Sequence, residues 1–576
     1  MLENSVQIST PRTHIRVTIN DSIVLEAPKG TTIQNFFKKV KDQFNFDAPL
    51  IAAICNDQLR ELNYSLQSDA TLKPILLSSS DGGRIYRRSL VLLLTTSASE
   101  LWENCQINIR YAIPDGGYYC TREDHQPFTK EEIDQLESHM HKIVQEDEPI
   151  SKREVKVDDA IALFKAQGQH DKIRLLENRL SSELVLYSLR EREDYYYGYM
   201  VPSTGLLAHF RLIWVEEGFI LQYPRKEAPT TLKPITAYEK IRQVFDRTEE
   251  WLERLQLEDI GRLNRISKQN TRIQELILVS DALHEQDIAQ ITSQIRERQN
   301  EAGIRIVLIA GPSSSGKTTF SKRLAIQLLA HGLHPFTLEL DNYFVNREHT
   351  PRDADGEYNF EALEAINLSR FNQDLLTLIN NKEINLPKFD FITGKSIEGR
   401  TVKLNDNQII IIEGIHGLNP NLVPDIPSAF IFRIYVSALT QLNIDDHNRV
   451  PTTDVRLLRR IIRDARTRGY NATDTLTRWQ SVRRGEKANI FPYQENADIM
   501  FNSALPYELA ALRGLVEPLL LQVKYGTPAH IEAKRLLSFI RWVHPLSSEH
   551  LNMIPDTSIL REFIGGSILD NYHPEL

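Results

Sequence analysis

Apolar residues along this chain follow three successive rhythms. Near the start they alternate: Ile15, Val17 and Ile19 are separated by polar residues, Asn20-Asp21-Ser22 interrupts the run, and Ile23 and Leu25 resume it. Period-two alternation on either side of a turn predicts a hairpin. Gly30-Thr31-Thr32 then opens a segment in which Ile33, Phe36, Phe37, Val40 and Phe44 share one helical face, with short strands predicted around 50–54 and 72–77. Hairpin, helix, then further strands is the order of a ubiquitin-like β-grasp. Farther on, Thr129 and Glu132 form a capping box ahead of Ile133, Leu136, Met140 and Ile143, so a buried helical stripe is predicted there. From about 226 to 298 the rhythm is helical and heavily charged with both signs, which predicts a solvated helical connector. Beyond 299 come near-continuous apolar strands at 304–309, 336–340, 409–412, 430–436 and 497–501, alternating with helical stretches. That alternation predicts a mainly parallel sheet covered on both faces, with ligands at the carboxyl ends of its strands.

The first of these strands runs into Gly311-Pro312-Ser313-Ser314-Ser315-Gly316-Lys317-Thr318, followed by Thr319 and a helix carrying Phe320, Leu324, Ala325, Leu328 and Leu329. The segment fits G-x-x-x-x-G-K-S/T at every fixed position. Glycines let the backbone wrap phosphate oxygens, the helix N-terminus supplies N–H donors, Lys317 offers a point charge, and the Thr318 hydroxyl suits Mg²⁺. A guanine-reading N-K-x-D is absent, because Asn381-Lys382-Glu383-Ile384 lacks the aspartate. The second strand ends at Asp341, placed to accept a hydroxyl proton, and the third at Glu413, placed to reach Mg²⁺. The arginines of RLLRRIIRDARTRGY, at 459, 460, 463, 466 and 468, outnumber nearby acids and predict a lid that closes over phosphates.

Length divides the picture further. At 576 residues the chain is too long for one core, and the boundaries predict units at 1–81, 82–225, 226–298, 299–525 and 526–576, the last a helical extension without chemistry. A net charge of −9 disfavours attraction to nucleic acid or membranes by bulk charge. Three scattered cysteines argue against disulfides or a cysteine-built zinc site, and no apolar run is long enough for a membrane, so a cytoplasmic protein is expected.

Several motifs together resemble known families. Residues 14–75 resemble a TGS domain. IPDGGYYC with FTKEEIDQLESHMHKIVQEDEPI, DDAIALFKAQGQHDKIRLLE and VPSTGLLAHFRLIWVEEGFILQ resemble the second N-terminal domain of threonyl-tRNA synthetases. That domain carries a metal-linked editing site in the synthetases; the four matching ligand positions here are Arg88, Leu92, Tyr196 and Met200, so editing hydrolysis is not expected. His139 and His141, two apart on a helix, are expected to be surface residues.

The phosphate loop, DNYF at 341–344, NFE at 359–361, PKFDFITG at 387–394, IIEGIHG at 411–417 and RRIIRDARTRG at 459–469 resemble uridine–cytidine kinases and the related phosphoribulokinases. The resemblance implies an ATP/Mg²⁺-dependent kinase acting on a nucleoside 5′-hydroxyl, uridine or cytidine leading, with another sugar or polyol as the alternative. It implies catalytic roles for Asp341, Lys317 and Arg463, and ATP contacts from 311–319, Arg460 and Arg468. It implies Mg²⁺ contacts from Thr318 and Glu413, and acceptor contacts from Asp341, Tyr343, Phe360, Glu361, Phe389, Phe391, Arg460 and Arg463. Two departures stand out: Gly394 replaces a base-contacting His, and Tyr470 replaces another lid Arg. A nucleotide-sensing regulatory protein that docks RNA or ribosomal partners through its N-terminal half stays open, as does self-association.

Overall fold

Alternation near the N-terminus becomes a hairpin: His14–Ile19 pairs antiparallel with Ile23–Pro28 across a turn in which Asn20 and Asp21 take left-handed conformations. The computed structural model describes residues 10–573 other than 45, 125, 178, 180, 237, 353–355, 357, 360, 391, 392 and 441. The hairpin joins a five-stranded sheet in which Ala70–Leu76 runs parallel to His14–Ile19 and carries Leu50–Cys55 and then Gln58–Glu61 beyond it. Ile33, Phe36 and Phe37 of the helix Ile33–Lys39 close the core below Ile15, Val17 and Ile19. This is the β-grasp order expected.

The chain divides into two units, and the division cuts across the five expected segments. The first unit comprises Met1–Thr236, Ile444–Arg449 and Lys524–Phe539; the second comprises Ala237–Asn443, Val450–Val523 and Ile540–Leu576. Within the first, the helix Ser80–Leu101 is sunk in a core shared with a four-stranded antiparallel sheet, in the order Arg211–Val215, Gly218–Gln222, Gly117–Arg122, Ile107–Ile113. Thr129 caps Lys130–Glu146 as expected: its side chain accepts from the Glu132 N–H while Glu132 accepts from the Thr129 N–H. Leu92, Tyr196 and Met200 are buried in one core, and Ser89 Oγ donates to Met200 Sδ at 3.4 Å. Three of the four lost-ligand positions are therefore filled by packing, and at the fourth the Arg88 guanidinium donates to the Tyr199 carbonyl at 2.8 Å. His139 meets Glu100 and His141 stacks on Phe210, so the two do not converge.

In the second unit five parallel strands lie in the order His334–Glu339, Gln408–Glu413, Ile306–Ala310, Ile431–Ser437, Ile499–Asn502. All five residues of Ile306–Ala310 are buried, which is why this strand reads as an unbroken apolar run. The helices expected as a connector belong to this unit. Asn270–Ala302 buries Ile273, Ile277, Ile288, Ile291 and Ile295 along one stripe, so its charges occupy only the remaining faces. A two-stranded hairpin, Ile384–Asp390 with Lys395–Val402, stands apart from the main sheet. No helix among the described residues is long and apolar enough to cross a membrane.

Candidate active site

Strand ends of the parallel sheet converge on a cleft of about 490 Å³. Its floor is the phosphate loop. Ser313, Ser314, Ser315, Gly316, Lys317 and Thr318 all line it, between the end of Ile306–Ala310 and the start of the helix Lys317–Ala330. Gly311 and Pro312 are buried behind the loop, and the Lys317 Nζ donates to the Pro312 carbonyl at 3.2 Å. Arginines hold the loop from the side: Arg456 donates to the Ser313 carbonyl at 2.9 Å and Arg460 to the Ser313 hydroxyl at 2.7 Å.

Three carboxylates expected from the sequence line the same cleft. Asp341 sits just past the strand His334–Glu339, and its carboxylate has no hydrogen-bond partner among the described residues. Desolvation in the crevice, then the charge of Glu339, push its carboxyl above the usual range. Glu413 accepts from the Thr318 hydroxyl at 3.0 Å; burial raises its pKa and Lys317 opposes the rise. Burial pulls the Lys317 ammonium down, against the pull of Glu413, Glu562 and Glu486. Glu361 closes the cleft's far side, raised by burial and then by Glu486. Its carboxylate lies against Gly485, where an added Cβ would come within 1.5 Å of Oε2.

The arginine helix is more divided than its sequence suggests. Arg459 is wholly buried and pairs with Glu508; Arg456 is buried and pairs with Glu486. These two are structural cations with their own acids, not free lid charges. Arg460, Arg463 and Arg468 face the cleft and gather around one buried carboxylate, Asp464. Arg466 turns to the Glu562 carbonyl. The opposite face of Thr452–Thr467 buries Val455, Leu457, Leu458, Ile461 and Ile462, which anchors the helix in the unit's core.

Some expected acceptor residues lie elsewhere. Tyr343 is buried in the apolar core, where its ring meets Phe371 edge-on and its hydroxyl donates to Asp374. Phe389 is buried against Phe344, on the hairpin. Neither lines the cleft. Phe360 and Phe391 fall outside the described residues. Gly394 has φ +70°, and an added Cβ would meet Arg347 at 2.8 Å, so no histidine fits this turn as it is built.

Two carboxylates were not anticipated. Glu486 accepts from the Ser313 N–H and from Arg456 and Arg483; burial opposes its ionisation, but the two guanidiniums hold it below the usual range. Glu562 belongs to the C-terminal region, to which the sequence assigns no chemistry. It lines the cleft and accepts from both the N–H and the hydroxyl of Thr319. A phosphate reaching that end of the loop meets donors already engaged by Glu562. For Mg²⁺ the donor set fits: Thr318 and Glu413 supply oxygens, and Mg²⁺ commonly takes few protein ligands beside water and phosphate.

Comparison with known proteins finds a different likeness in each half of the chain. The Phosphoribulokinase / Uridine kinase family model matches residues 306–509. A threonine–tRNA ligase of Desulforamulus reducens is 31% identical over 201 residues, covering 34% of this chain and 31% of that protein. One from a Geobacillus species is 30% identical over 200 residues, with the same shares. The chain thus spans about a third of the length of these relatives. Among solved structures, a possible uridine kinase from Bacillus stearothermophilus is similar at TM-score 0.23 and 19% identity, covering 36% of this chain and all of that one. A D-glycerate 3-kinase from Cryptococcus neoformans is similar at TM-score 0.19 and 15% identity, covering 46% and 89%. Residues 306–509 thus match the phosphoribulokinase/uridine kinase family model, behind an N-terminal region that matches threonine–tRNA ligases.

Proposed function

We propose that the chain is an ATP- and Mg²⁺-dependent kinase that phosphorylates the 5′-hydroxyl of a nucleoside, with uridine or cytidine the leading acceptor. One observation carries this reading: the carboxylate of Asp341, unpartnered among the described residues, shares a cleft with Lys317, Thr318, Glu413 and Arg463. In the reaction, the acceptor oxygen bonds to the γ-phosphorus as the bond to the β–γ bridging oxygen breaks, the hydroxyl proton passes to Asp341, and ADP departs. Lys317, Arg460, Arg463 and Arg468 stabilise the charge spread over the phosphoryl oxygens. Mg²⁺, held by Thr318 and through Glu413, neutralises phosphate charge when bound. Glu361 suits a vicinal diol, because its two oxygens can each accept from one hydroxyl.

A second reading, a kinase for another sugar or polyol, is favoured by the hairpin. Buried Phe389 and cramped Gly394 offer no polar side chain to a pyrimidine edge, and strong discrimination requires hydrogen bonds a site is built to make. ADP release measured across nucleosides, sugars and polyols separates the two, with the pyrimidine nucleosides expected to give the highest kcat/KM. Asp341→Ala should lower kcat by about a hundredfold or more while ATP binding stays near normal. Turnover close to wild type in that variant would remove Asp341 from the chemistry.

A further inference from the structure

Away from the cleft, the first unit holds a cluster of cations without anions. Arg87 and Arg88 are adjacent on the helix Ser80–Leu101, and Arg449 ends the segment Ile444–Arg449 of the same unit. Several other arginines of this unit meet acids: Arg84 pairs with Asp81 and Glu532, Arg153 with Glu193, Arg190 with Glu100, Glu146 and Glu148. Arg87, Arg88 and Arg449 do not. The strongest electrostatic neighbours of the three are tyrosines and other arginines.

The tyrosines bring the three together. The Arg87 guanidinium lies 5.2 Å from the centre of the Tyr223 ring, and that of Arg88 5.3 Å from the Tyr197 ring. Tyr118 meets Tyr223 edge-on at 5.0 Å, and the Tyr197 hydroxyl donates to the Arg449 carbonyl at 2.8 Å. Ring faces attract guanidinium groups, but they accept no strong hydrogen bond. Arg88 donates to the Tyr199 carbonyl at 2.8 Å, but the Nε atoms of Arg87 and Arg449 are buried with no acceptor among the described residues. A buried donor left unmade is costly, and like charges held together add to that cost. Each of the three arginines nevertheless keeps part of its surface exposed.

We propose that this cluster binds a small phosphate-bearing anion, separate from the nucleotide that the phosphate loop takes. Phosphate suits it better than a lone carboxylate. Three guanidinium forks offer many fixed donors, which a single carboxylate cannot fill, whereas a phosphomonoester or pyrophosphate brings two or more negative charges and enough oxygens for bidentate contacts.

The test uses the full chain carrying Lys317→Ala, which weakens anion binding at the phosphate loop. Titration with inorganic pyrophosphate at low salt, followed by calorimetry, should show one retained site. Adding Arg87→Gln and Arg449→Gln should weaken that site about tenfold or more. To separate loss of the site from misfolding of these variants, the Lys317→Ala chain is also labelled with phenylglyoxal, an arginine reagent, and the peptides holding Arg87 and Arg449 are read by mass spectrometry. Protection of both by pyrophosphate supports the site. No retained site, or unchanged affinity and unprotected arginines, overturns it. A 5′-phosphorylated RNA oligonucleotide that protects both arginines where pyrophosphate does not would also overturn it, assigning the cluster to nucleic acid.

Discussion

Asp341 shows how a single residue's surroundings tune its chemistry. Its carboxyl is raised first by desolvation and second by Glu339, so it holds a proton at a higher pH than a free aspartate, whose pKa is about 3.9. Only the ionised form can accept a proton. Under the proposed mechanism kcat/KM is therefore retained above the raised pKa and lost as pH falls through it. Glu339→Gln removes the like charge and should shift that acid limb to lower pH, while the Glu413 carboxyl, raised chiefly by its own burial, should stay nearly as it was. Profiles of kcat/KM against pH for the two proteins check this; a limb that stays fixed or moves up would reject Asp341 as its source. Asp341 was legible in the sequence because it ends a strand. Glu486 was not: it lies in the charged run RRGEKAN, which reads as a solvated face, and only its distant partners Arg456 and Ser313 reveal its burial.

At the scale of elements, the parallel strands were legible because burial on both faces leaves an unbroken apolar signature. The hairpin Ile384–Asp390 with Lys395–Val402 was not, since most of its second strand is exposed and carries no such pattern. Helices show the same limit. Ala472–Asn489 has little apolar contrast between its faces, yet its backbone at Gly485 forms a wall of the cleft against Glu361. Alanine at 485 sets two effects against each other. Relieving a helical glycine stabilises by about 1 kcal/mol, but the new Cβ would occupy the space of Glu361 Oε2, which must move. Gly485→Ala should therefore leave thermal stability equal or slightly higher and raise the acceptor KM severalfold with the ATP KM unchanged. Steady-state kinetics in each substrate decide it, and an unchanged acceptor KM would place the acceptor away from Glu361.

For the molecule as a whole, segments distant in sequence complete one core, which no local pattern could announce. The first unit takes in Ile444–Arg449 from far along the chain, and that segment brings Asp445 and His447 to Lys172 and Asp194. All four are buried: Lys172 Nζ lies 3.0 Å from Asp194 and 3.2 Å from Asp445, and His447 Nδ1 lies 2.6 Å from Asp194. Burial alone would neutralise Asp194 and Lys172, but Lys172 and His447 hold the Asp194 carboxyl far below its usual range, and the aspartates hold Lys172 well above its own. The signs set the pH window. Stability from Asp194 is present above its unfolded value of about 3.9 and lost as pH falls through the depressed one; that from Lys172 is present below about 10.4 and lost as pH rises through the raised one. Replacing one partner of such a cluster strands the others, so Lys172→Met should destabilise the first unit by about 3–5 kcal/mol. Because the cluster lies wholly within that unit, the second unit's stabilisation by ATP should persist. Calorimetric scans with and without ATP distinguish the outcomes: a lowered transition that ATP does not move, beside one that it still raises, is expected. A loss under about 0.5 kcal/mol would mean that the buried charges contribute nothing beyond their packing.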